Sequence, residues 1–374
     1  MADFGNEGLA ELYRRPGSAS TVYVDVTQVR EDPRHTSSLR HRSVREALAD
    51  AGAPEADADV VIDRIEEPPG RPGKVSRLLV VRDGLIELDE LLPGEPLGEL
   101  IVSHGPVPCL LPLLTQRPRD LTYIIAEVGR DGGEIRQFRL SRTGAVAEEE
   151  IEGDTEYITK VRGGFLSNSR YQRDTEEIWK RNEGQIADAI DEMVRTSGAE
   201  LLMLTGDVRA RQLLVAQLAP ASRDILAVVP TNTRQGGATT DELEADLDRH
   251  LAAILAQDEY DALERLDTGR DEGLVEADFA AVVRELQQGQ VEVLLLASGA
   301  LPEATLLALD REPWVASTEA DALGAAVLGT VPAADALVRA ALLTDARVVV
   351  VSPGELPGGS GAAALLRWST LSTH

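Results

Sequence analysis

The residues with the clearest potential for chemistry lie around a glycine pair near the middle of the chain. Gly163 and Gly164 are followed by a short polar loop and flanked by basic side chains. A glycine turn beside a helix N-terminus presents backbone N–H groups that attract anions, so this segment could meet an RNA phosphate backbone. The alternative is a plain turn that needs positive φ before an amphipathic helix. The candidate RNA-binding residues are Arg162, Gly163, Gly164, Phe165, Leu166, Ser167, Asn168, Arg170 and Arg173.

A long helix must position this loop. Apolar residues recur at helical spacing from Tyr171 to Met193, which predicts one face packed on a core. Six Lys or Arg residues against three Asp or Glu lie between Lys160 and Arg181, whereas the whole chain carries a net charge of −27. The acidic remainder argues against a general nucleic-acid binder, because phosphate binding depends on Lys and Arg releasing counterions. A local basic patch that docks on RNA remains compatible with it.

No catalytic constellation is evident elsewhere in the sequence. The G-x-S-x-G, H-E-x-x-H and paired-cysteine motifs do not occur, and Cys109 is the one cysteine. His35 and His41 lie near a predicted first helix without carboxylates at ligand spacing, so we interpret them as surface residues. Asp207 follows a predicted strand, but we find no partners for the metal-binding carboxylates of an RNase-H-type nuclease. We therefore expect no catalytic residues, no cofactor and no metal.

The composition describes an ordinary multidomain protein. With 374 residues, 43% of them hydrophobic, the chain should form two or three domains. The first ten residues are polar and acidic, and no window reaches the roughly 18 apolar residues of a transmembrane helix. We predict a cytoplasmic protein that associates with neither membranes nor DNA.

The glycine segment carries a family resemblance. Its pattern G-G-x-x-S-x-S-R-Y-x-R-x-x-E-E-x-W, Gly163 to Trp179, resembles bacterial relatives of the archaeo-eukaryotic class I release factors and Pelota. A second resemblance lies in GGSGAAALLRW, Gly358–Trp368, which is similar to the end of the third domain in those proteins. The resemblance implies that the loop enters the ribosomal peptidyl-transferase centre.

One departure from the family pattern affects the expected chemistry. In release factors a glutamine follows the two glycines and assists peptidyl-tRNA hydrolysis, but Phe165 occupies that position here. Leu166 occupies the position that the looser Gly-Gly-x-Gln pattern would need, and Gln172 lies well inside the predicted helix. The resemblance therefore implies the scaffold and the target, and not the hydrolytic activity.

The expected fold is α/β, with the three-domain architecture of release factors and Pelota. Residues 1–118 are predicted as an N-terminal α/β domain. Residues 119–232 are predicted as an RNase-H-like middle domain with the Gly-Gly loop and long helix, and residues 233–374 as an α/β/α sandwich. Within these we predict helices at Leu274–Gln288 and Ala320–Leu328, and a final helix after Gly361. Residues 93–112 are predicted as a proline-rich loop.

The function implied by the resemblance is ribosome binding. Lack of the glutamine fits Balon-type hibernation factors, so we predict an A-site hibernation or stress factor that contacts ribosomal RNA. Elongation factor Tu is a further candidate partner. One alternative is a peptidyl-tRNA hydrolase or ribosome-rescue factor that uses another group, such as a water held by backbone amides. The other is a stress adaptor that kept the scaffold and does not bind ribosomes.

Overall fold

The computed structural model describes residues 6–27, 33–68, 74–98, 100–116, 121–129, 132–140, 145–152, 168–229, 240–299, 301 and 304–369. The chain divides into two compact units. Unit 1 combines Met1–Arg119 with Gln257–His374, and unit 2 is Asp120–Ala256. Helices and strands mix throughout both units, which confirms the predicted α/β class.

The first part of unit 1 is an antiparallel sheet with four helices. Its strands are β1 (Ala19–Asp25), β2 (Val75–Arg82), β3 (Leu85–Pro93) and β4 (Leu100–Gly105), in the order β3-β2-β1-β4. Its helices are α1 (Asn6–Arg14), α2 (Pro33–Asp50), α3 (Glu55–Glu66) and α4 (Leu111–Gln116). The hairpin predicted between β2 and β3 is confirmed, since Asp83 and Gly84 both have positive φ, at 51° and 72°.

The second part of unit 1 contains two further sheets. One has the order β10-β16-β11-β15, and the other has the order β13-β12-β14. The strands are β10 (Val275–Glu276), β11 (Val291–Ala297), β12 (Thr305–Leu309), β13 (Val315–Ala316), β14 (Val327–Pro332), β15 (Arg347–Val351) and β16 (Ala362–Leu366). The helices here are α9 (Phe279–Gln287) and α10 (Ala333–Leu343).

The two parts of unit 1 share a hydrophobic core. Leu9 and Leu12 of α1 belong to the same buried cluster as Leu337 and Ala341 of α10, although more than three hundred residues separate them in sequence. Because burial of such side chains is the main favourable term in folding, the two parts stabilise each other. The division into three domains at 118 and 232 stays a prediction.

Unit 2 is a mixed sheet with helices on both faces. Its strands are β5 (Thr122–Gly129), β6 (Gly132–Arg139), β7 (Ala147–Glu152), β8 (Leu201–Gly206) and β9 (Leu226–Val228), in the order β7-β6-β5-β8-β9. β8 pairs parallel with both β5 and β9, whereas β6 pairs antiparallel with both β5 and β7. The helices are α5 (Asn168–Ser197), α6 (Val208–Val215), α7 (Pro220–Asp224) and the first part of α8 (Thr240–Thr268).

Alternation along the strands of unit 2 gives each face its own core. Ile124 and Val128 of β5 lie in one cluster with Ile186 of α5, while Ile125 lies in another with Leu251 of α8. Successive strand residues point to opposite faces, so one strand supplies both cores. The mixed sheet flanked by helices that the sequence predicts for this segment is therefore confirmed.

Several predicted elements in unit 1 are wrong. Residues predicted as a helix over Ala320–Leu328 form a short 3-10 helix, Glu319–Ala322, and then strand β14. The 3-10 helix ends where Leu323 and Gly324 adopt positive φ, and β14 then pairs antiparallel with β12. The helix predicted to start at Leu274 starts at Phe279, because the Asp278 side chain accepts a hydrogen bond from the Ala281 N–H.

The chain segment after Gly361 forms a strand where a final helix was predicted. β16 lies between β10 and β11 and pairs antiparallel with both. All five residues of β16 are buried, so sheet pairing outweighs the high helix propensity of its alanines. Similarly, the predicted loop at 93–112 contains β4, which pairs antiparallel with β1.

Candidate functional site

The predicted RNA-binding loop lies outside the described residues. This applies to Arg162, Gly163, Gly164, Phe165, Leu166 and Ser167. Asn168 is the first residue of α5, and Arg170 and Arg173 lie in its first two turns, with side chains outside the described set. The structure therefore defines the support of this loop, which is the helix that follows it.

Helix α5 is held on the sheet by an apolar stripe. Ile186, Ile190 and Val194 recur at intervals of four residues and are buried in the same cluster as β5 and β8. Since residues four apart lie on one face of a helix, this stripe is the inward side predicted from the sequence. Burying each large aliphatic side chain contributes about 1.5–3 kcal/mol, so the stripe fixes which side of α5 meets the sheet.

Polar contacts fix the helix along its length. The Gln217 side-chain amide donates to the Lys180 carbonyl at 3.1 Å, which ties the segment after α6 to α5. One helical turn beyond Ile186, the Asp191 carboxylate accepts hydrogen bonds from the Ala219 N–H at 2.9 Å and from the Ser222 hydroxyl at 2.5 Å. Asp191 therefore caps the start of α7 from α5.

Replacing Asp191 with alanine is expected to lower the free energy of unfolding by about 1–2 kcal/mol, because the Ala219 N–H and the buried Ser222 hydroxyl lose their acceptor. Denaturant unfolding followed by circular dichroism measures the change. Asp188→Ala is the matched control, since Asp188 is an exposed aspartate on the same helix. Equal losses in the two variants would contradict this anchoring role.

An acidic pair lies under the middle of α5. Glu183 is 1% exposed, and its Oε2 has no hydrogen-bond partner among the described residues. Burial and the negative charge of Asp207 raise the pKa of Glu183 to about 8. Asp207 follows β8 and caps α6, accepting from the N–H groups of Arg209 and Ala210. Burial and the neighbouring charge therefore favour the neutral form of the Glu183 carboxyl at pH 7.

Sequence reasoning found Asp207 but missed Glu183. The signal was available, because Glu183 lies three and seven residues before Ile186 and Ile190 and so falls on the inward stripe. The pair does not make a metal site: no group of three or more His, Cys, Asp or Glu side chains in the described ranges could hold an ion. The pair therefore places a carboxyl group that can bind a proton in α5, the helix that follows the loop.

The middle of the chain matches a known protein family. Residues 122–272 match the model of bacterial archaeo-eukaryotic release factor family 2. This central segment of the chain belongs to the bacterial archaeo-eukaryotic release factor-like family. The matched range contains the Gly-Gly loop, helix α5 and the Glu183–Asp207 pair, so the predicted site and its support lie within the family segment.

Relatives resemble the chain over nearly its whole length. The proteins MT2704 and Rv2629 from two strains of Mycobacterium tuberculosis are each 24% identical, covering 97% of this chain and 97% of theirs. Among solved structures, the archaeal translation termination factor aRF1 is 16% identical and covers 98% of this chain and 99% of its own, with a TM-score of 0.27. Archaeoglobus fulgidus Pelota is 15% identical, with coverages of 97% and 93% and a TM-score of 0.39.

Unit 1 contains a serine, a histidine and an aspartate in contact, but not in the order of a nucleophilic triad. The Ser20 hydroxyl donates to the Asp57 carboxylate at 2.6 Å and lies 3.0 Å from His104 Nδ1. The serine thus lies between the other two, whereas a triad needs the histidine in the middle to accept the hydroxyl proton. Asp57 also accepts from the Gly84 N–H at 2.7 Å. The cluster ties α3 to the β2–β3 turn.

A second buried polar cluster joins the two parts of unit 1. The Cys109 thiol donates to the Asp335 carboxylate at the start of α10, and burial raises the pKa of both groups, that of Asp335 to about 6. The Tyr13 hydroxyl of α1 donates to the Pro108 carbonyl at 3.3 Å. Burial, and to a smaller extent the negative charge of Asp335, raise the pKa of Tyr13. A raised pKa disfavours the nucleophilic thiolate form of Cys109.

None of the helices in the described part of the chain combines the length and apolar character that a membrane crossing requires.

Proposed function

We propose that this protein is a ribosome-binding translation factor that acts as a hibernation or stress factor in the ribosomal A site. The observation that carries the proposal is the match of residues 122–272 to the bacterial archaeo-eukaryotic release factor family. That range contains the Gly-Gly loop and the helix that supports it. In this proposal the target is the ribosome, and the loop contacts ribosomal RNA.

The charge around the loop supports contact with RNA. Three arginines, Arg162, Arg170 and Arg173, flank the loop in a chain whose net charge is −27. In this proposal they contact ribosomal RNA phosphates, while Gly163–Ser169 projects toward the peptidyl-transferase centre. The acidic remainder of the chain disfavours non-specific attachment to RNA.

The residue after the glycine pair supports a role without hydrolysis. Phe165 has neither a donor nor an acceptor in its side chain, so it cannot orient a water molecule as a glutamine amide can. The protein would then occupy the ribosome and leave peptidyl-tRNA intact. Elongation factor Tu is proposed as a second partner, tested by adding it to the binding reactions described next.

Charge reversal at the loop tests the proposal. Arg170→Glu with Arg173→Glu is expected to weaken co-sedimentation with vacant 70S ribosomes by at least about tenfold at low salt. The dependence of log K on log salt should become shallower by about two, because each of the two arginines would no longer neutralise a phosphate. A salt series with purified full-length protein measures both quantities.

The matched control reverses two arginines of unit 2 that lie away from the loop. Arg195 and Arg223 are exposed, and Arg195 lies near the opposite end of α5 from Arg170. Reversing both leaves the net charge equal to that of the test variant and should change the affinity by less than about twofold. Equal loss of affinity in the two variants, or no binding by the wild type at low salt, would refute ribosome binding through this loop.

A peptidyl-tRNA hydrolysis assay on the same samples separates the hibernation role from rescue. Binding without release of the peptide supports a non-hydrolytic factor. Release by the wild type that is abolished in Ser167→Ala would instead identify a rescue enzyme and refute the assignment based on Phe165.

A further inference from the structure

Glu183 occupies a position where the helix period requires an apolar side chain. It shares the inward stripe of α5 with Ile186 and Ile190, and it is as deeply buried as they are, at 1% exposure against 0% for both isoleucines. A carboxyl group in this position is costly when ionised, because it leaves water while its Oε2 finds no hydrogen-bond partner among the described residues. Apolar side chains of similar size would pack there more stably, so the acid needs an explanation.

The surroundings of Glu183 make ionisation still less favourable. The carboxyl lies near the end of β8, where Asp207 uses its own carboxylate to accept two backbone N–H bonds at the start of α6. Asp207 is the charged group whose field reaches Glu183, and it has the same sign. The Glu183 Oε2 meets no hydrogen-bond donor in the described part of the chain.

Two cations on the neighbouring elements have contacts with groups other than Glu183. Arg211 of α6 donates to the Val229 carbonyl at 2.7 Å, and Arg136 of β6 lies 3.2 Å from Glu134. The described charged residues on the elements around α5, and on α5 near Glu183, are Glu127, Glu134, Arg136, Arg139, Lys180, Arg181, Asp188, Asp191, Asp207, Arg209, Arg211, Arg223 and Asp224. Among these, Asp207 is the one that changes the proton affinity of Glu183.

We propose that Glu183 is a positioning residue, and that protonation of its buried carboxyl controls how firmly the middle of α5 packs on the sheet face formed by β5 and β8. The neutral carboxyl fits under the helix, while the carboxylate is repelled by Asp207 and drawn toward water. The helix leads directly from the loop at its N-terminus, so its packing sets where Arg170 and Arg173 can lie. This inference rests on the proposed function only for its effect on ribosome binding.

The sign of the pH effect follows from the direction of the shift. In an open state the carboxyl has its ordinary pKa of 4.5, whereas in the packed state burial and Asp207 raise the pKa to about 8. The packed state therefore binds the extra proton between these two values, and packing weakens as pH rises from 4.5 to about 8. Above pH 8 both states are ionised and the dependence ends.

Hydrogen exchange of the full-length protein tests this directly. In peptides covering residues 180–195, the opening constant corrected for intrinsic exchange should rise at least about tenfold between pH 6 and pH 8. Glu183→Gln should show a flat profile, because the amide does not ionise. Glu192→Gln, an exposed glutamate on the same helix, should keep the wild-type profile.

A second variant keeps the proposal testable should Glu183→Gln fold poorly. Asp207→Asn removes the neighbouring charge while retaining a good N-cap, so the upper limit of the pH-sensitive window should move below pH 8. Identical pH profiles for the wild type and Glu183→Gln, or for the wild type and Asp207→Asn, would overturn the proposal.

Ribosome binding provides the functional readout. The affinity for vacant 70S ribosomes is measured for the wild type and for Glu183→Gln at pH 6 and at pH 8. The ratio of wild-type affinity to variant affinity should be more than threefold lower at pH 8 than at pH 6. Failure of both proteins to bind would refute the proposed function, while the exchange profiles would still decide the role of Glu183. Binding that changes equally with pH in both proteins would overturn the link between Glu183 and the loop.

Discussion

Gly206→Ala is expected to lower the free energy of unfolding of unit 2 by more than about 3 kcal/mol. Gly206 ends strand β8 with φ at +115°, a conformation that side-chain-bearing residues rarely adopt. A Cβ added there would lie 1.9 Å from the Val128 carbonyl oxygen, well inside van der Waals contact. Because the obstacle is backbone, no side-chain rotation relieves the overlap.

The overlap falls where several contacts of the site meet. Gly206 is the parallel partner of Val128, and the same Val128 carbonyl accepts from the Asp207 N–H at 2.9 Å. Moving either strand would break this hydrogen bond and displace the Asp207 cap beside Glu183. The substitution thus combines backbone strain with loss of a cap, two of the mechanisms that produce large destabilisation.

Gly198→Ala is a control that separates the cost of backbone strain at positive φ from the cost of steric overlap with the added Cβ. Gly198, just after α5, also has positive φ, at +64°, but an added Cβ meets nothing within 4 Å. This control should cost only about 1 kcal/mol. Hydrogen exchange in peptides from β5 and β8 measures both variants, and protection in Gly206→Ala that equals protection in Gly198→Ala would contradict the prediction.

Helix α5 shows which features of the site could be predicted from sequence. Its inward face follows from local spacing, since Ile186 and Ile190 lie four residues apart. The segment is also long enough that one polar residue within the apolar pattern does not change the prediction of a helix. Phe165 after the glycine pair is likewise read from sequence alone. Local periodicity therefore suffices for the supporting helix, while the role of the loop stays a prediction.

Features that depend on distant pairing could not be predicted in the same way. The closeness of Glu183 to Asp207 requires α5 to pack on the sheet face formed by parallel β5 and β8, a tertiary arrangement that no local pattern specifies. β16 presents the same difficulty. Its alanines favour a helix by propensity, and only its position between β10 and β11 makes it a strand. The contact between Cys109 and Asp335 likewise depends on the shared core of unit 1.

Asp335→Asn is expected to make unit 1 more stable than the wild type at neutral pH, by up to about 3 kcal/mol. Asp335 lies in the first turn of α10, where the helix dipole usually favours a carboxylate. Burial outweighs this effect and raises its pKa from 3.8 to about 6, although the hydrogen bond from the Cys109 thiol opposes the shift. Each unit of pKa difference is worth about 1.4 kcal/mol.

The pH window follows from these two values. The unfolded chain releases the Asp335 proton near pH 3.8, while the folded protein keeps it until about pH 6. The folded state binds more protons within this window, so the wild type loses stability as pH rises through it. The asparagine has no proton to lose and its side-chain oxygen can still accept from the Cys109 thiol. The two proteins should therefore be closest in stability below pH 4 and differ most above pH 6.

Tryptophan fluorescence can follow this transition selectively. Trp314 lies in unit 1, where Arg339, one turn after Asp335, donates to its backbone carbonyl at 3.0 Å and lies 5.5 Å from its ring centre. Replacing Trp179 and Trp368 with phenylalanine leaves Trp314 as the only tryptophan. Urea unfolding between pH 3.5 and pH 8 then measures the stability difference. Glu319→Gln, at an exposed position in the same unit, should follow the wild-type curve.

The pH dependence of the stability difference distinguishes an effect of Asp335 ionisation from an effect of altered packing. A packing defect of the asparagine would shift stability by the same amount at every pH, whereas removal of a buried ionisable group changes stability only within the window from pH 3.8 to about 6. Parallel curves for the wild type and Asp335→Asn would therefore show that Asp335 ionises in the folded protein as readily as in the unfolded chain. Curves that diverge within the window would show that folding raises the pKa of Asp335, which lies where the two parts of unit 1 meet.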